Sequence, residues 1–236
     1  MPDLSRRAII PEIMDTEPVP YDEFRDCLRA IERINRLTFA YRPTLRWLDR
    51  ATTRRWNDRP IEILDVGSGH GDMLRRIHGW ARRRGVAVRL TGIDVSPWAT
   101  RAAGEATAPG LPIRYETGNV FHMEPGRDFD YVISSLFAHH LEDGDLVRFV
   151  RWMERHARLG WFVNDIHRHP VPYHFIRHAV RVAGMNRLVL HDAPASVARA
   201  FNRRDWQDLL SEAGLPAEAV EIRWYMPFKY GVGRLR

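Results

Sequence analysis

The 236-residue chain has a single cysteine, Cys27, and a single lysine, Lys229, against 35 arginines. A lone cysteine makes no internal disulfide and no thiolate metal site, so the core must hold the fold and a reducing compartment is permitted. No apolar run approaches the ~20 residues that span a bilayer. The first twenty residues carry Asp3, Glu12, Asp15 and Glu17 where a signal peptide needs an apolar stretch. A cytoplasmic protein is expected. Internal repeats and low-complexity tracts are also missing, and 44% hydrophobic with 28% charged residues is the composition of a globular chain, which excludes disorder. The length suits one large domain with an appendage. Net charge is +6, yet the arginines are scattered among acids, with only short clusters such as Arg82, Arg83 and Arg84. They read as a solvated surface rather than a nucleic-acid face.

What is present is an alternation of strand and helix patterns. Positions 1–20 hold four prolines and no regular period, so an irregular arm is expected. Phe24, Leu28, Ile31, Asn35 and Thr38 then share one helical face, predicting a helix from 22 to about 40. A second helix after Pro43 carries Leu45, Trp47 and Leu48. Residues 1–59 are expected to form an N-terminal arm and helices on the substrate side of a domain spanning 60–236. Short apolar strands are predicted at 61–66, 86–95, 113–120, 129–135 and 160–165, separated by helices. Ser96 is a predicted N-cap with Pro97 at the first helical position, and Asp143 is a predicted cap for the helix after the fourth strand. The pattern implies an α/β fold: a doubly wound, mostly parallel seven-stranded sheet. Strands at 220–225 and 229–234, too close for a crossover helix, add a C-terminal antiparallel hairpin at one edge. An inserted segment at about 170–200 carries one predicted amphipathic helix, through Tyr173, Phe175, Ile176 and Val180.

In such a sheet, ligands bind beyond the carboxyl ends of the strands where strand order reverses. The first strand ends in Asp65-Val66-Gly67-Ser68-Gly69-His70-Gly71. Alternate glycines let the backbone turn sharply and approach a ligand at a helix start. A dinucleotide site would place the third glycine one residue later and no acid before the first. Asp65 repels a pyrophosphate but can hold an ammonium group. Asp94, with Val95, ends the second strand and can accept bonds from ribose hydroxyls. Asn119 and Val120 end the third, where an amide can meet an adenine edge. Ser135 ends the fourth. A cation-tolerant turn, a ribose acid and an adenine amide on successive strands describe a site for S-adenosylmethionine (SAM).

On these residues the chain, over roughly 61–236, resembles the class I SAM-dependent methyltransferases, many of which carry Asp where Asn119 stands. Ser134 to Leu141 lacks the Asn/Asp-Pro-Pro-aromatic string of many nucleobase amino-methyltransferases. The Ile34-Asn35-Arg36-Leu37 segment, the Phe137-Ala138-His139-His140-Leu141 string and Asn164-Asp165-Ile166-His167-Arg168-His169-Pro170 resemble the O-methyltransferases encoded beside bacterial type III polyketide synthases. That resemblance implies methylation of phenolic oxygens on lipophilic polyketides or quinones.

Six histidines, at 139, 140, 167, 169, 174 and 178, follow the fourth and fifth strands. Imidazole can take the proton of a phenol as the methyl moves. His140, His139 and His167 are the candidate bases in that order, with Asp165 to orient the working ring, while His174 and His178, four apart, read as helix-surface residues. His70 is expected to shape the glycine turn, and His122 and His156 to lie on the surface. A metal is the rival use for clustered histidines, His167 and His169 included. Metal-dependent catechol methyltransferases place acids at the ends of the fourth and fifth strands; here the fourth offers only serines, so no metal is expected. The 170–200 segment is either a lid over an apolar pocket or an extra packing helix, and as a basic amphipathic lid it can rest transiently on a membrane surface. An RNA methyltransferase and a catalytically silent SAM-binding protein are the alternatives.

Overall fold

The computed structural model describes residues 2–52, 59–123 and 129–236. Seven strands, β1 Ile61–Val66, β2 Val88–Asp94, β3 Ile113–Thr117, β4 Phe129–Ser135, β5 Ala157–Ile166, β6 Glu221–Tyr225 and β7 Lys229–Leu235, form one sheet in the order β3-β2-β1-β4-β5-β7-β6. The first five are parallel; β7 pairs antiparallel with both β5 and β6. Successive strands move outward in one direction from β1 and in the other from β4, so the order reverses between those two. Neighbouring crossovers diverge there and leave a crevice over the strand ends.

The helices are α1 Ile13–Thr16, α2 Tyr21–Leu37, α3 Arg42–Thr52, α4 Asp72–Arg84, α5 Pro97–Glu105, α6 Asp143–His156, α7 Pro170–Val182, α8 Arg187–Arg199 and α9 Arg203–Glu212. Side chains alternate across the sheet, as the two-residue strand period requires. Leu64, Val132, Trp161 and Val163 pack on one face with Leu146, Met153 and Trp206 of α6 and α9. Ile63, Tyr131, Ile133 and Phe162 pack on the other with Trp47, Leu48, Leu74 and Ile77 of α3 and α4. Ser96 caps α5 as its sequence indicates, accepting from Ala99 N–H, with Pro97 in the first turn.

Several boundaries differ from the sequence reading, each for a local reason. Helix α2 stops at Leu37 because Phe39 takes φ 53°. Strand β3 stops at Thr117 because the Asn119 side chain accepts from Phe121 N–H and starts a single 3-10 turn, Val120–His122. Glu142, not Asp143, is the N-cap of α6; Asp143 is already helical and its carboxylate pairs with Arg7. The inserted segment holds two helices, α7 and α8, packed on each other. Helix α8 contains Pro194, which reads in sequence as a helix breaker.

The N-terminal arm is irregular but anchored. The buried Arg168 guanidinium donates to the carbonyls of Leu4, Ser5 and Ala200 and to Asp205, and Ala8 N–H donates to Ala198 O. Leu4, Ala8 and Ile10 pack against Tyr173, Val197 and Ala198. Asp192 of α8 accepts from the amides of Ile13 and Met14, so the arm is tied along the inserted pair. Among the described residues no helix is long and apolar enough to cross a membrane.

Trp47 is 1% exposed, stacked on Phe162 of β5 at 5.1 Å and edge-on to Tyr131 of β4 at 5.4 Å, and so joins α3 to two adjacent strands. Trp47→Ala is expected to destabilise the protein by about 3–5 kcal/mol, read from the denaturant midpoint; a loss below about 1 kcal/mol would show that α3 is not held by this contact.

Candidate active site

A cavity of about 1150 Å³ opens over the carboxyl ends of β1, β2 and β4. Gly67, Ser68, Gly69, Asp94, Val95, Asn119, Val120 and Ser135 line it, so eight predicted cofactor residues converge. Gly67 has φ 70°, and a Cβ there would stand 2.4 Å from the Phe137 ring, so only glycine fits this turn. Asp94 ties the turn to the neighbouring strand: Oδ2 accepts from Gly69 N–H at 2.9 Å and Oδ1 from Ser96 N–H at 2.9 Å. Carboxylate oxygens carry further lone pairs, which leaves Asp94 able to accept from a ligand's hydroxyls.

Two predicted cofactor residues do not line the cavity. Asp65 lies beneath the turn, 2% exposed, on the α4 face of β1, because strand alternation turns it away from Val66. Its Oδ1 has no partner, and burial, with Asp72 and Asp94 near, pushes its carboxyl well above the ordinary carboxylate range. A cation bound above the turn would relieve that field. Gly71 caps α4 at φ 73°, and a Cβ there would overlap the Tyr115 hydroxyl, so this glycine serves the turn's packing.

Sequence reasoning passed over several lining residues. Asp72, at the start of α4, accepts from Tyr41 Oη at 2.7 Å and Asn35 Nδ2 at 3.3 Å. Glu32 of α2 meets His70 Nδ1 at 2.6 Å and accepts from Arg75 at 2.8 Å, which explains why His70 is buried in the turn. Phe121 also lines the cavity, with the Arg148 guanidinium 4.0 Å over its ring. Asp72 stands just beyond the glycine turn in sequence, while Glu32 and Phe121 carry no local signal.

The predicted histidines separate by where the fold places them. His139 and His140 line the cavity at the end of β4. His139 is 2% exposed; its Nδ1 lies 2.7 Å from Asp165 Oδ1, and its backbone N–H donates to Asp165 Oδ2 at 3.0 Å. Burial alone would push the Asp165 carboxyl up, but His139 and the amides of Ile166 and His139 outweigh it and hold its pKa below the ordinary value. A ring nitrogen facing that carboxylate carries the proton, which leaves Nε2 of neutral His139 as an acceptor. Glu12, delivered by the arm, places Oε1 3.8 Å from His139 Nε2 and Oε2 3.8 Å from His140 Nε2.

His167, the third candidate base, does not line the cavity. It packs edge-on to Tyr230 and accepts from Trp224 Nε1–H, and burial together with His169 and Arg168 lowers its pKa to about 4. The first residue past β5 is turned to the hairpin by the pairing of His167 N–H with Phe228 O. His174 and His178 are exposed on α7, as helix-surface histidines. His169 caps α7, accepting from Val171 N–H. His122 is exposed, and His156 is half-buried against Trp152.

Residues 63–160 match the model of a family described as a methyltransferase domain. No curated protein sequence matches the chain. Solved structures share the fold. Human N-acetylserotonin methyltransferase in complex with SAM superposes at a TM-score of 0.63 with 13% identity, over 92% of this chain and 56% of that one. The plantazolicin methyltransferase BpumL in complex with SAH gives 0.58 and 14%, over 94% and 87%. Magnesium protoporphyrin IX methyltransferase (ChlM) from Synechocystis PCC 6803 with bound SAH gives 0.54 and 14%, over 84% and 82%. This chain therefore spans little more than half of the human enzyme. The methyltransferase-domain match and the glycine turn edged by Asp94 and Asp65 agree on SAM as the cofactor.

Asp94→Ala is expected to weaken binding of SAM or of its demethylated product SAH by about 1–3 kcal/mol, through lost hydrogen bonds to the ligand and to the turn. Calorimetry is the measurement, and an unchanged affinity would remove Asp94 from the site.

Proposed function

We propose that this protein is a SAM-dependent methyltransferase that methylates a phenolic oxygen of an apolar small molecule, with His139 as the base. The observation that carries this reading is the His139–Asp165 pair, buried at one wall of the cavity with Nε2 free to accept. Gly67, Ser68 and Gly69 with Asp94 and Asn119 would hold the cofactor, and the acids Asp65, Asp72 and Glu32 favour its ammonium end. When bound, SAM supplies a methyl group that leaves sulfur for the acceptor oxygen as the oxygen gives up its proton.

The chain's residues then have three tasks. Nε2 of His139 takes the phenolic proton, and the resulting imidazolium is flanked by the carboxylates of Asp165 and Glu12. Apolar walls from Phe24, Leu28 and Ile31 of α2 and Phe175 and Ile176 of α7 hold the acceptor and exclude water, which fits a lipophilic ring system such as a polyketide or quinol. Positioning supplies the rest of the rate, by holding the oxygen in line with the methyl. The inserted pair α7–α8 thus acts as cavity wall in this reading, and the scattered arginines favour a small acceptor over RNA.

A second reading rests on one cluster. Glu12, His139 and His140 place ligand atoms within 4.8 Å of one another, a two-histidine, one-carboxylate set for a transition metal. A metal on Nε2 of His139 would occupy the lone pair that the base requires, so the two roles exclude each other.

With labelled SAM and a panel of phenols, His139→Ala is expected to lose about 100- to 10,000-fold of turnover and the acid limb of the pH profile, while SAH affinity stays near wild type. Near-wild-type turnover in that variant, with chemistry rate-limiting, would leave positioning as the whole mechanism. Turnover is also expected to survive EDTA; its loss, with recovery on adding zinc or another divalent ion, would establish the metal reading instead.

A further inference from the structure

The chain's only lysine stands at the wall of this cavity. Lys229 begins β7, lines the cavity, and is 8% exposed. Among the described residues it has neither a hydrogen-bond nor an ion-pair partner. Arg148, which also lines the cavity, lies over the Phe121 ring, and the arginines behind its walls are engaged in structure: Arg199 donates to the carbonyls of Ile10, His139 and His140, Arg75 to Glu32, and Arg168 to Asp205. Among the described residues Asp165 is the one charged group acting on Lys229, and its oxygens are already occupied by the His139 ring and the amides of His139 and Ile166.

Strand register separates the two groups. Tyr230 lies opposite Asp165 in the β5–β7 pairing, and Lys229 opposite Ile166, so Lys229 and Asp165 project from opposite faces of the sheet. Both Lys229 and His139 nevertheless reach the cavity, because it sits over the sheet's rim. An ammonium on a largely apolar cavity wall, with no side-chain acceptor beside it, gains a charge-assisted hydrogen bond when an anionic oxygen enters. Arginine would bring five donors in a rigid fork to an apolar wall; lysine brings one compact charge suited to a single oxygen.

We propose that Lys229 is the counter-ion for an acidic oxygen of the acceptor, so that the cavity selects molecules carrying a phenolate or comparable oxyanion on an otherwise apolar frame. This deepens the methyltransferase reading and takes from it the identity of the ligand as the acceptor. Burial lowers the Lys229 amine to about 8, against the opposing pull of Asp165, so at neutral pH it is still an ammonium and gains by meeting an anion. The division of labour follows. His139 receives the proton from one wall, and Lys229 steadies negative charge on the acceptor from another.

One lysine in the chain makes the test direct, since protein labelled with carbon-13 at the lysine ε-carbon gives a single lysine signal. The probe is 4-nitrophenol, whose phenolate absorbs visible light, with 4-nitroanisole as its neutral methyl ether. The phenol is expected to bind better than the ether, to show its phenolate band at a pH below that of the free probe, and to raise the lysine titration midpoint by about one pH unit. Lys229→Met, checked for folding by thermal melting, is expected to bind the phenol about 10- to 100-fold more weakly with the band lost, while SAH affinity is unchanged. Equal binding of phenol and ether, no binding of the phenol, or an unmoved lysine midpoint overturns the proposal. Failure of SAH to bind the wild-type protein, with the lysine response intact, would instead overturn the methyltransferase reading and leave Lys229 as an oxyanion site.

Discussion

The carboxylate of Asp165 is wholly buried at the end of β5, and much of the cavity's architecture follows from satisfying it. A buried charge must be paired and hydrogen-bonded or it is expelled. Asp165 meets that demand locally, through Ile166 N–H, and at a distance, through the ring and backbone of His139 at the end of β4. Two adjacent parallel strands are thereby locked at their carboxyl ends, and the turn after β4 acquires a single shape. The carbonyls that this turn exposes are taken by arginines: Arg199 donates to those of His139 and His140, and Arg7 to that of Leu141. Through these contacts the order imposed by one acid extends to α8 and to the N-terminal arm.

The arm's role follows from the same chain of contacts. Arg199 also holds Ile10 O, and Asp192 caps the short helix after it, so Glu12 is brought beside His139 although 127 positions separate them in sequence. Ser196 of α8 donates to Glu12 Oε1 at 2.8 Å and fixes its orientation. A segment with no periodicity of its own thus supplies a buried carboxylate to the cavity. Its order comes from what it packs against.

Electrostatically the cavity has two ends. Near the glycine turn stand the acids Asp65, Asp72, Asp94 and Glu32, and burial, with Asp72 and Asp94 near, pushes the Asp65 carboxyl up. At the far side of β4, an imidazole with two carboxylates stands on one wall and the Lys229 ammonium, without a partner among the described residues, on another. In the proposed reaction such a distribution would orient a cationic cofactor toward one end and an acidic acceptor toward the other.

Most of the framework is legible in the sequence because it depends on local periodicity. The strand at 61–66 and the one at 129–135 match β1 and β4 in both limits, the Ser96 cap is where its residues place it, and alternation of strand and helix implies the parallel sheet that is observed. The glycine turn and Asp94 are legible for the same reason, since consecutive residues build them. Tertiary structure alone decided the remainder. The inserted segment's second helix, α8, is not expected from the sequence; packing against α7 sustains it through Pro194. His140, His139 and His167 rank in that order by sequence position, and only the pairing of β4 with β5 shows that His139 meets Asp165 while His167 turns to the hairpin. Glu12 and Lys229, near opposite ends of the chain, meet at one cavity because burial and charge compensation act through space, which sequence spacing does not measure.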